Sequence, residues 1–85
     1  MNSQLYSGEP RAEELIAEIY RQLVEQRLLG RIPEKVCLPI TYIRRLRIYR
    51  ALMGGLVRFD LDYLEDNSIF GLVFYIHESK TIVVS

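Results

Sequence analysis

Cysteine is almost absent from this sequence: Cys37 stands alone among 85 residues. An intrachain disulfide and a cysteine-based zinc site are therefore excluded, and a reducing compartment is the simplest setting. His77 is the only histidine. A hydrolytic triad needs a histidine between a nucleophile and an orienting acid. Cys37 and Ser79 are the nearest nucleophiles by chemistry, but no glycine-rich elbow surrounds either. His77 reads as a residue flanking a turn, and Cys37 as a small core hydrophobe. No phosphate-binding glycine loop or dinucleotide fingerprint is present. No cofactor is expected, and a non-enzymatic role follows.

Charge of one sign is not in excess. Eleven basic and eleven acidic residues give a formal net charge of zero. A protein that coats nucleic acid usually carries a strong basic excess. Long hydrophobic runs are missing too. The most apolar stretch, Ile69–Ile76, is eight residues, against the roughly 20 a membrane helix needs. The first residues, Met-Asn-Ser-Gln-Leu-Tyr-Ser-Gly-Glu, lack the basic start and apolar centre of a secretory signal. No membrane association and a cytoplasmic location are expected.

What is present is an ordinary globular composition, 49% hydrophobic and 26% charged. Residues 1–8 are polar and predict a frayed tail, followed by one α+β domain over residues 9–85. Leu15, Ile16, Ile19, Tyr20, Leu23, Val24 and Leu28 recur at helical spacing. They predict a helix from about Pro10 to Leu29, opened by acidic residues and closed by Gly30. Pro33 and Pro39 exclude a helix between them. Lys35–Leu38 predicts a short strand at a sheet edge. Tyr42, Ile43, Leu46, Tyr49 and Met53 give a second helix, starting at Pro39 and stopped by Gly54-Gly55.

The rest predicts a three-stranded antiparallel meander. Val57, Phe59, Leu61 and Tyr63 alternate with Arg58, Asp60 and Asp62, the period of a half-buried strand. Ser68–His77 is the central strand. A tight turn at Asp66-Asn67 sets Tyr63 against Phe70, Leu61 against Leu72, Phe59 against Phe74 and Val57 against Ile76. A slip by one would bring Asp60 and Asp62 among the aromatics. Glu78-Ser79-Lys80 then returns the chain, pairing Ile76 with Ile82 and Phe74 with Val84. Helix one packs on the apolar face. The other face holds Val73, Tyr75 and Val83, so the middle strand is apolar on both sides. These three residues form a candidate partner surface. An 85-residue domain buries only about 60–65% of its unfolded surface. Self-association is a common remedy, so a homodimer or larger assembly is expected.

Two other constellations carry chemistry. Arg44, Arg45, Arg47 and Arg50 are four arginines in seven residues. They are candidate anion contacts, and a nucleic-acid-binding regulator is the alternative function. At 100° per residue, however, they spread around the helix instead of lining one side. Ion pairs with Asp60, Asp62, Glu65 and Asp66 are favoured over phosphate contacts. Asp60 and Asp62, with Glu65, raise a metal-dependent hydrolase as a further alternative. The calcium-loop pattern fails, because Leu64 and Glu65 stand where an oxygen ligand and a glycine are required, and no metal site is assigned.

Val36-Cys37-Leu38-Pro39 running into Tyr42-Ile43-Arg44-Arg45-Leu46 resembles the strand-to-helix junction of ribbon-helix-helix repressors. That family needs a second helix at once, whereas Gly54-Gly55 and alternating strand residues follow, so its DNA binding is not carried over. The same segment, followed by Ile69-Phe70-Gly71-Leu72-Val73-Phe74-Tyr75-Ile76, resembles short segments of phage head proteins. That resemblance implies at most a virus-encoded accessory or structural protein, and it transfers no residue role. The expected function is protein–protein interaction or assembly through self-association.

Overall fold

Ala12, Leu15, Ile19 and Leu23 recur every three to four residues, and all are buried on one side of helix α1 (Ala12–Leu28). The computed structural model describes residues 9–56 and 62–85. The expected tail over residues 1–8 and the run Val57–Leu61, with Phe59 and Asp60, lie outside the described residues. Helix α1 starts two residues later than expected, with Arg11 as its N-cap, and the Glu14 carboxylate accepts the Arg11 backbone N–H at 2.8 Å. At the other end Gly30 takes φ +80°. Gly30 N–H donates to Arg27 O and Arg31 N–H to Gln26 O, the paired bonds of a Schellman stop.

Strand β1 (Lys35–Leu38) leads through Pro39 into helix α2 (Ile40–Leu56). Tyr42, Ile43 and Leu46 form its buried face, as the spacing predicts. Gly54 and Gly55 do not end it; the helix runs on to Leu56. Three short strands follow: β2 (Ser68–Ile69), β3 (Leu72–Ile76) and β4 (Val83–Val84). The molecule is a small α+β domain of two helices and a four-stranded mixed sheet, in the order β2-β3-β1-β4.

The mixed sheet replaces the expected three-stranded antiparallel meander. Strand β1 is not at the edge but inside the sheet, parallel to β3 and antiparallel to β4. Parallel neighbours need a long crossover, which α2 and the segment after it supply. Phe74 and Val84 do not pair with each other; both flank Val36, so the expected shared face is right and the expected neighbour is wrong. The physical reason lies partly in the Glu78-Ser79-Lys80 loop. It holds no glycine to take the positive φ of a tight hairpin. The chain instead passes over the end of β1, where His77 N–H donates to Leu38 O at 3.2 Å.

The expected central strand is also divided. Phe70 and Gly71 take φ +54° and +82°, the signature of a two-residue hairpin turn, and Ile69 pairs back with Leu72. A phenylalanine in the left-handed region is unusual. Its ring stacks on Tyr63 at 5.1 Å and tilts against Tyr20 at 5.3 Å, and these contacts offset the backbone cost. The turn expected at Asp66-Asn67 is present. Glu65 N–H donates to Ser68 O at 2.9 Å, Phe70 N–H to Tyr63 O at 2.6 Å, and Leu64 bridges Ile69. The Tyr63–Phe70 pairing therefore holds.

Both helices lie on one side of the sheet. Val36, Leu38, Ile69, Leu72 and Val84 meet the buried faces of α1 and α2 there, with Leu64 closing the core.

Candidate interaction surface

Strand alternation sends every second residue to the side away from the helices. Val73 and Tyr75 on β3, Cys37 on β1 and Val83 on β4 take that side, and Tyr75, Cys37 and Val83 lie in one row across three adjacent strands. Val73 is 47% exposed, Tyr75 53% and Val83 46%. Cys37 is half-buried between its neighbours and faces outward, so it is not the core residue its chemistry suggested. The three residues singled out as a partner surface thus come together on one face. Sequence reasoning missed Lys35, whose ammonium sits 5.4 Å from the centre of the Tyr75 ring, and Ile32, 88% exposed beside the same ring in a shallow groove. Their only sequence signal was position, Lys35 at the start of the predicted strand and Ile32 three residues before it.

The edges of the sheet are managed differently from its face. Gln22 on α1 reaches the outer edge of β4. Its side-chain N–H donates to Ile82 O at 2.8 Å, and its carbonyl accepts the Val84 N–H at 2.9 Å. One amide thereby occupies two of the backbone groups that this edge turns away from β1. Glu18 holds Gln22 in turn, at 2.8 Å. Arg21 also donates twice to Glu18, and the guanidinium and the Gln22 amide hold that carboxyl down at about 2, although partial burial opposes them. At the opposite edge, the Leu64 bridge and the Glu65 bond cover β2. Exposed strand edges invite pairing with other chains; here both edges carry partners.

The four arginines of α2 do not converge. Arg45 donates to Pro10 O and to Glu9 at 3.0 Å. Arg47 donates to Asp66 O and Asn67 Oδ1, while Arg50 donates to Leu64 O and pairs with Asp66 at 3.4 Å. Two of the arginines therefore clamp the Leu64–Asn67 turn, largely through backbone carbonyls that sequence charge-matching does not anticipate. Among the described residues, Arg44 alone of the four has no such partner.

The remaining candidates sit apart. His77 Nε2 donates to Thr81 O at 2.8 Å and braces the turn it flanks, and Ser79 Oγ bonds Thr81 Oγ1 at 3.0 Å. Asp60 lies outside the described residues. Asp62 is exposed and engaged within the molecule, and Glu65 takes a 3.4 Å bond from Ser68. No group of three metal-ligating side chains occurs among the described residues. No helix among them is long and apolar enough to cross a membrane. Comparisons with protein-family models, with curated proteins and with solved structures find no match.

Proposed function

We propose that this chain is a small non-enzymatic interaction protein that associates with copies of itself through the outer face of its sheet. The observation that carries the reading is the row Tyr75, Cys37 and Val83, with Val73 beside it, on the side of the sheet away from both helices. A contiguous apolar patch of this kind is the usual mark of an interaction surface. A second copy suits it for two reasons. The formal net charge is zero, so copies do not repel one another. The edges already carry partners, which favours face-to-face packing over edge pairing.

Light scattering over a concentration series tests this. The expected result is a mass above the 10.0 kDa of one chain, lowered in Tyr75→Lys with the circular dichroism unchanged. A wild-type protein that stays a strict monomer at high concentration sinks the proposal.

A further inference from the structure

The two helices carry opposite charge. Helix α1 holds four glutamates and two arginines, and α2 holds four arginines and no acid. Away from the core, α2 presents a stripe of Thr41, Arg44, Arg45, Ile48 and Leu52. Ile48 is 60% and Leu52 54% exposed, and the first four residues line a shallow open groove. Arg45 already holds the Glu9 carboxylate at the margin of this groove, which shows the kind of group it accepts. Arg44 is exposed and, among the described residues, unpaired. On α1 the outward stripe begins at Glu13, also exposed and unpaired among the described residues, and continues through the exposed Ala17 and Tyr20.

The geometry points to a second contact between copies, in which the α2 groove of one molecule takes the outer stripe of α1, led by Glu13, from the next. Each stripe runs from a free charge into apolar side chains, Arg44 to Ile48 and Leu52 on one helix, Glu13 to Ala17 and Tyr20 on the other. Parallel packing therefore sets charge on charge and apolar on apolar. Ala17 is small enough to let Ile48 approach the α1 backbone. Exposed isoleucine and leucine four residues apart are poorly suited to a phosphate backbone, so a protein helix is the fitting occupant. The contact joins two different surfaces. It is therefore heterologous, and it builds a ring where the rotation closes or a filament where it does not. It stands independently of the sheet face.

Sedimentation velocity in a Tyr75→Lys background isolates this contact from the sheet face. The expected result is residual association that weakens about tenfold from low to high salt, because exposed charges are screened. Arg44→Glu and Glu13→Arg should each weaken it by about the same factor, since each replaces attraction with repulsion. Mixing the two variants in equal amounts should restore much of it, because each contact between unlike variants then meets an opposite charge. Ile48→Asp should weaken it at all salt concentrations. Association indifferent to Arg44→Glu, Glu13→Arg and Ile48→Asp overturns the inference. So does loss in both charge variants without recovery on mixing. A low-salt mobility shift with nucleic acid that Arg44→Glu abolishes, in a protein that does not self-associate through this stripe, reassigns the groove to phosphate. A molecule in which Tyr75→Lys changes nothing while the charge swap behaves as described removes the sheet-face reading and leaves this one standing.

Discussion

Val36, Leu38, Leu72 and Val84 point to one side of the sheet and are at most 2% exposed, whereas Val73, Tyr75 and Val83 point to the other and are 46–53% exposed. Residue type does not separate the two groups, since valines stand in both. What separates them is the position of the helices, both of which lie against the first set. The inner face is therefore committed to folding. The outer face has the same kind of apolar surface left about half exposed, and that surface is what association would use. Substitution on the two sides should divide cleanly. Leu38→Ala removes a fully buried side chain and should cost about 2–5 kcal/mol, read as a lower midpoint in urea. Tyr75→Ala on the outer side should change monomer stability by no more than about 0.5 kcal/mol. A large loss of stability in Tyr75→Ala would mean that the outer face is packed in the free chain, and the contrast would fail.

Gln22 sharpens the comparison at the margin between the two faces. Its amide fastens α1 to the edge of β4 through two backbone bonds. Gln22→Ala should cost about 1–2 kcal/mol, because Ile82 O and Val84 N–H lose their partner together. It should also open the edge to strand pairing, visible as slow aggregation with increased β signal in circular dichroism. If Gln22→Ala merely loses stability and stays dispersed, the short β4 edge protects itself and the glutamine serves only to dock the helix.

The inner face was largely legible in the sequence, because burial leaves a period. Leu15, Ile19 and Leu23, and Tyr42, Ile43 and Leu46, announced their helices by spacing alone. The shared face of Phe74 and Val84 was legible for the same reason, whereas the turn at Asp66-Asn67 was legible from its turn-forming residue types. Strand neighbours were not. Alternation says which way a side chain points and is silent on which strand lies beside it, so a four-residue strand enclosed by prolines read as an edge and is in fact interior. The break at Phe70-Gly71 was hidden for another reason. Phe70 is a poor residue for positive φ on local grounds, and its long-range contacts with Tyr20 and Tyr63 favour the turn in a way local sequence does not show. Of the candidate surface, the three outward residues were readable, but Cys37 was assigned inward and the Lys35–Tyr75 contact depends on side-chain conformation.

Gly71 decides which residues reach which face, since its turn reverses the chain between Ile69 and Leu72. Gly71→Ala meets no atom within 4 Å, so its cost is the φ of +82° alone. About 1 kcal/mol is expected, with the outer-face association unchanged. Gly71→Asn should recover part of the loss, because asparagine tolerates the left-handed region. Equal losses in the two variants would show that the turn needs glycine for a reason other than backbone conformation.

The smallest effect concerns pH. The Glu18 carboxyl is held at about 2 by bonds from Arg21 and Gln22, against 4.5 for a free glutamate. Since the folded value lies below the unfolded one, the stabilisation is complete above about 4.5 and is lost as the pH falls toward 2. The Glu18 side chain is 38% exposed. Solvent screening therefore limits the contribution to a few tenths of a kcal/mol, roughly that of other surface pairs. Glu18→Gln keeps an acceptor for the Gln22 amide and removes the charge. The wild type and this variant should differ most in urea midpoint near neutrality and converge as the pH drops through that window. A difference constant across the window would mean that Glu18 supports Gln22 by packing and not by its charge. The inner face would then be tied to the β4 edge without an ionic component.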